Sequence, residues 1–305
     1  IRKLSQSKPQ LSLHNHVTYN FKKMNSSKKN TLKNEKHYDK KYSNVNIKHI
    51  LNKIENLEGF MNDATQTDTS WVGLYHGNFQ NRLKGKKVLE LGCGDCTNAA
   101  VMAAYGADVY ANDISQNSGK IIKKLNESYN FEFKIKFIDG DFLKSEVTNN
   151  FYDIIIGKAF VHHLTHGQEI EFTEKIVSLL KPNGIVRYFE PAVNNKFLDS
   201  LRWLTPVPGR PSKIQTKKFE KWKINDPHPE RDNSSKHYEK IGEEYFEETK
   251  IVPIGSIERF HRILPKKYSR KFRRFAFRLE EKLPYSLNLS LTRSHLIEYK
   301  QPKKL

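Results

Sequence analysis

"VLELGCGDCT", residues 88–97, reads as an apolar strand that ends in a glycine turn, with an acid, Glu90, just ahead of the first glycine. Gly92 and Gly94 let the backbone bend sharply and let a ligand approach main-chain atoms with no side chain between. The run from Thr97 to Tyr105 can open a helix, and free N–H groups at its start would suit an anionic group. The turn is therefore a candidate cofactor cradle. A P-loop is disfavoured, because no Gly-Lys-Ser/Thr comes after Gly94. A dinucleotide fingerprint would need glycine where the chain has Thr97, and it does not call for an acid at Glu90.

The strands beyond the turn test it by their spacing. "GADVYANDIS", 106–115, reads as a second strand ending in Asp113, about 20 residues beyond the glycines, where a doubly wound fold places an acid to grip ribose hydroxyls. A carboxylate there can accept both hydrogen bonds of a diol. "FKIKFIDGDFLK", 133–144, reads as a third strand ending near Asp141 and Phe142. "FYDIIIGKAFVHHLTH", 151–166, is a buried strand with His162 and His163 after it. "LLKPNGIVRYFEP", 179–191, is a helix end, a Pro-Asn-Gly turn and a fifth strand.

Glu90-x-Gly92-x-Gly94 resembles the first motif of the class I S-adenosylmethionine (SAM) dependent methyltransferases, with Cys96 where that motif has a third glycine. The histidine pair and the Leu-Lys-Pro-Asn-Gly turn resemble segments of family members that act on small molecules, with methyltransferase domains of the 11 and 25 types. The resemblance covers roughly residues 81–190. It implies an α/β fold with a Rossmann-like, doubly wound, seven-stranded methyltransferase sheet, and SAM as cofactor. The cofactor set it implies is Glu90, Gly92, Cys93, Gly94, Asp113, Ile114, Asp141, Phe142 and Lys158, with Asp141 and Phe142 on the adenine. Base-modifying relatives carry an Asn/Asp-Pro-Pro-aromatic motif after the fourth strand, where this chain reads Gly157-Lys158-Ala159-Phe160.

The chain has 305 residues, enough for one catalytic domain with additions. Residues 1–35 are expected to be a disordered basic tail, since they are rich in Lys, Asn and Ser and poor in apolar residues. A helical extension is expected over 36–80, the SAM-binding core over 81–190, a substrate lid inserted over 191–248, and strands and a helix completing the sheet over 249–305. The chain starts at Ile1, and a few native residues are expected to precede it. No signal-peptide or transmembrane pattern is visible, so a cytoplasmic protein is expected. The formal charge of +19 is consistent with a polyanion partner, but lysine-rich, asparagine-rich composition is the simpler cause. Nucleic acid is therefore not the expected partner, and peripheral membrane contact and oligomeric state are left open. Cys93 and Cys96 are the two cysteines, which excludes a disulfide scaffold, and no metal site is expected.

Methyl transfer needs an aligned nucleophile and, for a hydroxyl or carbon acid, a base. His163, or its neighbour His162, is the candidate base, because the end of the fourth strand lies beside the switch point of such sheets and imidazole titrates near neutrality. His162 and His166 could chelate a cation at helical spacing, but no carboxylate accompanies them as in H-E-x-x-H. Glu190, Arg202, Arg210 and His228 are candidate substrate contacts, with Arg231, Trp203 and Trp222 as further lid residues. Tyr268, Phe272, Phe275 and Leu279 form a stripe on a basic helix expected to cover the sheet. The expected reaction is methylation of an oxygen, nitrogen or carbon on a small metabolite or modified peptide. The rivals are a nucleic-acid methyltransferase recruited by the basic surface, and a catalytically inactive SAM-binding or partner-binding protein.

Overall fold

Strand β1, Lys87–Leu91, alternates its side chains between two helical layers, with Val88 buried on one side and Leu89 and Leu91 on the other. A strand buried on both faces is what a parallel sheet between helices requires. The structure, a computed structural model, describes residues 27–206 and 209–304. Around β1 the chain forms β2 (Asp108–Asp113), β3 (Lys136–Asp139), β4 (Tyr152–Lys158), β5 (Leu180–Pro191), β6 (Phe246–Ile254) and β7 (Ser294–Pro302). The seven-stranded sheet has the order β3-β2-β1-β4-β5-β7-β6. β1 pairs in parallel with β2 and β4, and β7 runs antiparallel to both β5 and β6. This is the expected α/β, doubly wound, seven-stranded sheet.

The helices in chain order are α1 (27–42), α2 (Ile47–Glu55), α3 (Leu57–Thr67), α4 (Thr69–Leu74), α5 (Thr97–Ala104), α6 (Gln116–Ser128), α7 (His166–Leu179), α8 (Lys196–Leu204), α9 (Thr216–Asn225), α10 (Ser235–Tyr245), α11 (Lys266–Glu280) and α12 (Tyr285–Leu291). On one face of the sheet Val88, Val109, Ile154 and Ile185 pack with residues of α2 to α6. On the other, Leu89, Ile155, Val186 and Ile297 pack with Phe172 and Ile176 of α7 and Tyr238 and Ile241 of α10. Each such fully buried side chain contributes about 1.5–3 kcal/mol. α7 starts where it does because Thr165 and Gln168 form a reciprocal capping box.

Three expectations need correction. The tail expected to be disordered over 1–35 is helical from residue 27, because Asn30, Thr31 and Asn34 have partners on α7 and in the 226–228 segment; residues 1–26 lie outside the described part. Within 191–248, α10 is a layer of the core rather than lid, so insertion in the structural sense ends before Ser235. The α11 stripe faces outward: Tyr268 and Phe275 are 52% and 59% exposed, whereas Ala276, Phe277 and Glu280 are buried. The reason is that α11 packs chiefly on α3 and on the 3-10 turn Glu258–Ile263 rather than lying flat on the sheet. Glu280 anchors it, accepting the N–H groups of Gly255, Ile257 and Glu258.

Candidate active site

The carboxyl ends of β1, β2 and β4 open into a cavity of about 890 Å³, roofed by α1 and by the Gly209–Arg210 and Trp222–His228 parts of the insertion. That volume falls in the usual range of small-molecule sites, about 300–1,000 Å³. Its floor is the glycine turn. Gly92 and Gly94 have φ of 65° and 56°, and a Cβ on them would stand 2.5 Å from the Phe160 ring and 2.7 Å from the Tyr42 hydroxyl. Only glycine suits both the left-handed backbone and the close approach.

The expected cofactor residues Gly92, Cys93, Gly94, Asp113, Ile114, Asp141, Phe142 and Lys158 all line this cavity. Asp113 does so while accepting the N–H groups of Gly94 (2.8 Å) and Ser115 (2.8 Å), one on each carboxylate oxygen. Each oxygen keeps a second lone pair for a diol. Burial raises the Asp113 pKa, against the lowering effect of these backbone bonds. The start of α5 is less open than expected, since Asp95 takes the Thr97 N–H at 3.0 Å and Asp113 that of Gly94. Cys93 and Cys96 are buried thiols, their pKa values raised mainly by burial.

Glu90 is not on the cavity wall. It points into the opposite layer, where Asn98 donates to its Oε1 at 2.9 Å while the Tyr75 hydroxyl holds Asn98 at 2.8 Å. Burial pushes its carboxyl up to about 8. The acid of the first motif thus braces the turn from behind, and its Oε2 is buried with no hydrogen-bond partner among the described residues.

Three imidazoles also gather on the cavity wall. The ring centroids of His162 and His163 are 4.3 Å apart, and those of His228 lie 5.0 and 4.4 Å from the two. The expected substrate contact Glu190 also sits off the wall, fully buried, and its carboxylate organises the 160–163 turn. It accepts the N–H groups of Phe160 (2.8 Å) and Val161 (2.7 Å), and its Oε2 lies 2.6 Å from His162 Nδ1. A carboxylate already accepting backbone hydrogens assigns the Nδ1 proton to His162 and leaves Nε2 with a free lone pair. His163 differs: its Nε2 is 2.8 Å from the Tyr38 hydroxyl, its Nδ1 is buried without a partner among the described residues, and burial holds its pKa well below the usual value.

Arg210 lines the cavity, with Nη2 donating to the carbonyls of Arg202 and Thr205 and with Nε and Nη1 buried without a partner among the described residues. Arg202, its expected companion, is absent from the wall; it pairs with Asp199 at 3.7 Å on its own helix. Trp222 lines the cavity, while Trp203 packs beside it against Phe219. Arg231 acts as a clamp, donating to the carbonyls of Val161 and Leu164 and pairing with Glu169 at 2.7 Å.

α1 supplies wall residues that sequence reasoning missed: Asn30, Asn34, His37, Tyr38, Lys41 and Tyr42. The available signal was the i,i+4 pair Tyr38 and Tyr42 next to His37, inside a segment whose lysines dominate its composition. Asp39 ties the helix down, accepting from Ser115 at 2.7 Å, while the Asn117 amide donates to its carbonyl at 2.9 Å.

Residues 88–184 match the family described as a methyltransferase domain. Methyltransferase phqN of Penicillium fellutanum is 22% identical over 122 residues, 39% of this chain and 36% of that protein. The chain thus spans about a third of that relative's length. Among solved structures, a SAM-dependent methyltransferase from Archaeoglobus fulgidus has a TM-score of 0.46 at 17% identity, covering 73% of this chain and 90% of that one. Phosphoethanolamine N-methyltransferase 2 of Haemonchus contortus, in complex with SAM, has a TM-score of 0.47 at 12% identity, covering 85% and 61%. SAM fits the site on its own terms: a glycine floor that a Cβ would obstruct, Asp113 lone pairs for a ribose, and Ile114 and Phe142 for a flat base. Residues 88–184 thus carry a methyltransferase domain, and the cradle at their start has the room and the acceptors that S-adenosylmethionine would need.

Proposed function

We propose that the chain methylates a small acceptor that must lose a proton, with His162 as general base and Glu190 as the residue that positions it. The observation that carries this reading is the His162–Glu190 pair at 2.6 Å beside the cofactor cradle. SAM, when bound, supplies a methyl already activated on a sulfonium, which leaves alignment and proton removal to the protein. Glu190 holds the Nδ1 hydrogen, His162 Nε2 takes the acceptor's proton, and Arg231 fixes the carbonyls of the turn that carries the imidazole. This departs from the preference for His163, whose Nε2 is engaged by Tyr38.

An acceptor with an anionic group is favoured by Arg210, whose Nε and Nη1, without a partner among the described residues, would pair with a carboxylate or phosphate. A cavity roofed by α1 and the insertion favours a small acceptor over a polymer, and cofactor site, base and Arg210 together favour an active enzyme over a SAM-binding relative without turnover. The test is steady-state kinetics on a panel of hydroxylated and amine acceptors bearing carboxylate or phosphate. His162→Asn should lower kcat about 10²–10⁴-fold and leave the SAM Kd nearly unchanged, with Glu190→Gln intermediate. Equal turnover of wild type and His162→Asn on a hydroxyl acceptor would contradict the base assignment.

A further inference from the structure

We propose that His162, His163 and His228 form a binding site for one divalent transition-metal cation of the imidazole-preferring class, such as Zn²⁺. One ligand atom from each of the three residues can be chosen so that all lie within 4.8 Å of one another. Each ring also has its other nitrogen engaged by a separate group. Glu190 holds His162 Nδ1, Asp226 holds His228 Nδ1, and the Tyr38 hydroxyl holds His163 Nε2. That leaves His162 Nε2, His228 Nε2 and His163 Nδ1, and this last atom is buried with no partner among the described residues. A cation explains it: metal-binding imidazoles almost always donate their second N–H to a carboxylate, carbonyl or other fixed acceptor, which sets tautomer and ring orientation.

The donor set narrows the ion. Three neutral imidazoles with no carboxylate or thiolate in the first sphere disfavour Mg²⁺ and Ca²⁺, which take oxygen, and suit Zn²⁺, Co²⁺ or Ni²⁺. Three protein ligands with a cavity in front leave a position open, as in catalytic rather than structural zinc sites. The neighbouring cluster of His166, Glu169 and His237 lacks this character, because Glu169 is already committed to Arg231 at 2.7 Å and His237 at 2.8 Å.

The open position would take an oxygen of the acceptor, a part of the inference that rests on the methyl-transfer reading. Coordination lowers the pKa of a bound hydroxyl. With the cation bound, His162 is a ligand in place of the base role given above, so the acceptor proton leaves to water, the O–H electron pair stays on the oxygen that attacks the methyl carbon, and the C–S bond breaks with its electron pair going to the donor sulfur. Cation binding itself does not depend on that reading.

The experiment is a Co²⁺ titration of the full chain, stripped with a chelator and shown folded by circular dichroism, with visible absorbance as the readout. One equivalent should bind and be displaced by one equivalent of Zn²⁺. His228→Ala, on the exposed insertion, should abolish the band; Asp226→Asn should weaken binding about 10–100-fold; His166→Ala should leave it unchanged. Absence of a 1:1 Co²⁺ complex, or a complex unaffected by His228→Ala, overturns the site. SAM calorimetry on the same samples separates the two readings: a chain that binds SAM but not Co²⁺ loses only the cation site, and one that binds Co²⁺ but not SAM loses only the methyltransferase reading.

Discussion

Gly94 has φ of 56°, and the Tyr42 hydroxyl stands 2.7 Å from where its Cβ would be. Gly94→Ala therefore meets two penalties, about 1–2 kcal/mol for a left-handed backbone and displacement of Tyr42. SAM affinity by calorimetry should fall at least about tenfold, and the denaturant midpoint should drop, whereas Gly77→Ala, at a positive φ with nothing within 4 Å, should affect stability alone. Residues whose role depends on backbone shape or on a strand end were legible from spacing, as Gly92, Gly94, Asp113 and Phe142 show. Residues whose role depends on which way a side chain leaves the sheet were not. Glu90 and Glu190 both read as ligand contacts because they flank the site in sequence, yet each is buried behind it, one held by Asn98 and the other beneath the 160–163 turn.

At the scale of elements, the first five strands were legible in apolar runs and glycine turns, while the sixth, expected within 249–305, begins earlier. It spans Phe246–Ile254 and stops at Gly255, whose φ of 82° ends the pairing with β7. α1 was not legible, because its partners are dispersed over α6, α7 and the insertion, and a lysine-rich segment shows no apolar stripe of its own. Its residues form part of the cavity wall. Asp39→Ala removes the half-buried carboxylate's bond to the Ser115 hydroxyl, a loss of about 1 kcal/mol, while the Asn117 bond to the residue-39 carbonyl remains. Hydrogen exchange should accelerate across 27–42, and the SAM Kd should rise several-fold while global unfolding changes little; unchanged exchange in α1 would show that Asp39 does not hold it.

For the whole molecule, acid should act through buried imidazoles. His295 is fully buried, with Nδ1 3.0 Å from Ser235, and burial pushes its pKa down to about 3. Between about pH 6.5 and pH 3 the unfolded chain takes up a proton that the folded chain refuses, so stability is full above that window and is lost as pH falls through it, by up to about 1.4 kcal/mol per pH unit. His163 acts in the same direction, and Glu90, with its pKa raised to about 8, acts oppositely as pH rises from the carboxylate range. The His295→Gln chain isolates the first contribution: its unfolding free energy should decline more gently than wild type below about pH 6.5, and parallel curves would refute that assignment. Among the described residues no helix is long and apolar enough to cross a membrane.

The central claim is that the cradle at 92–94 and Asp113 hold SAM, and calorimetry of the full chain with SAM tests it most directly. One site is expected, and Asp113→Ala should weaken it roughly tenfold to a hundredfold through lost charged hydrogen bonds. A folded chain that gives no SAM binding, or that binds equally well without the Asp113 carboxylate, would contradict that claim.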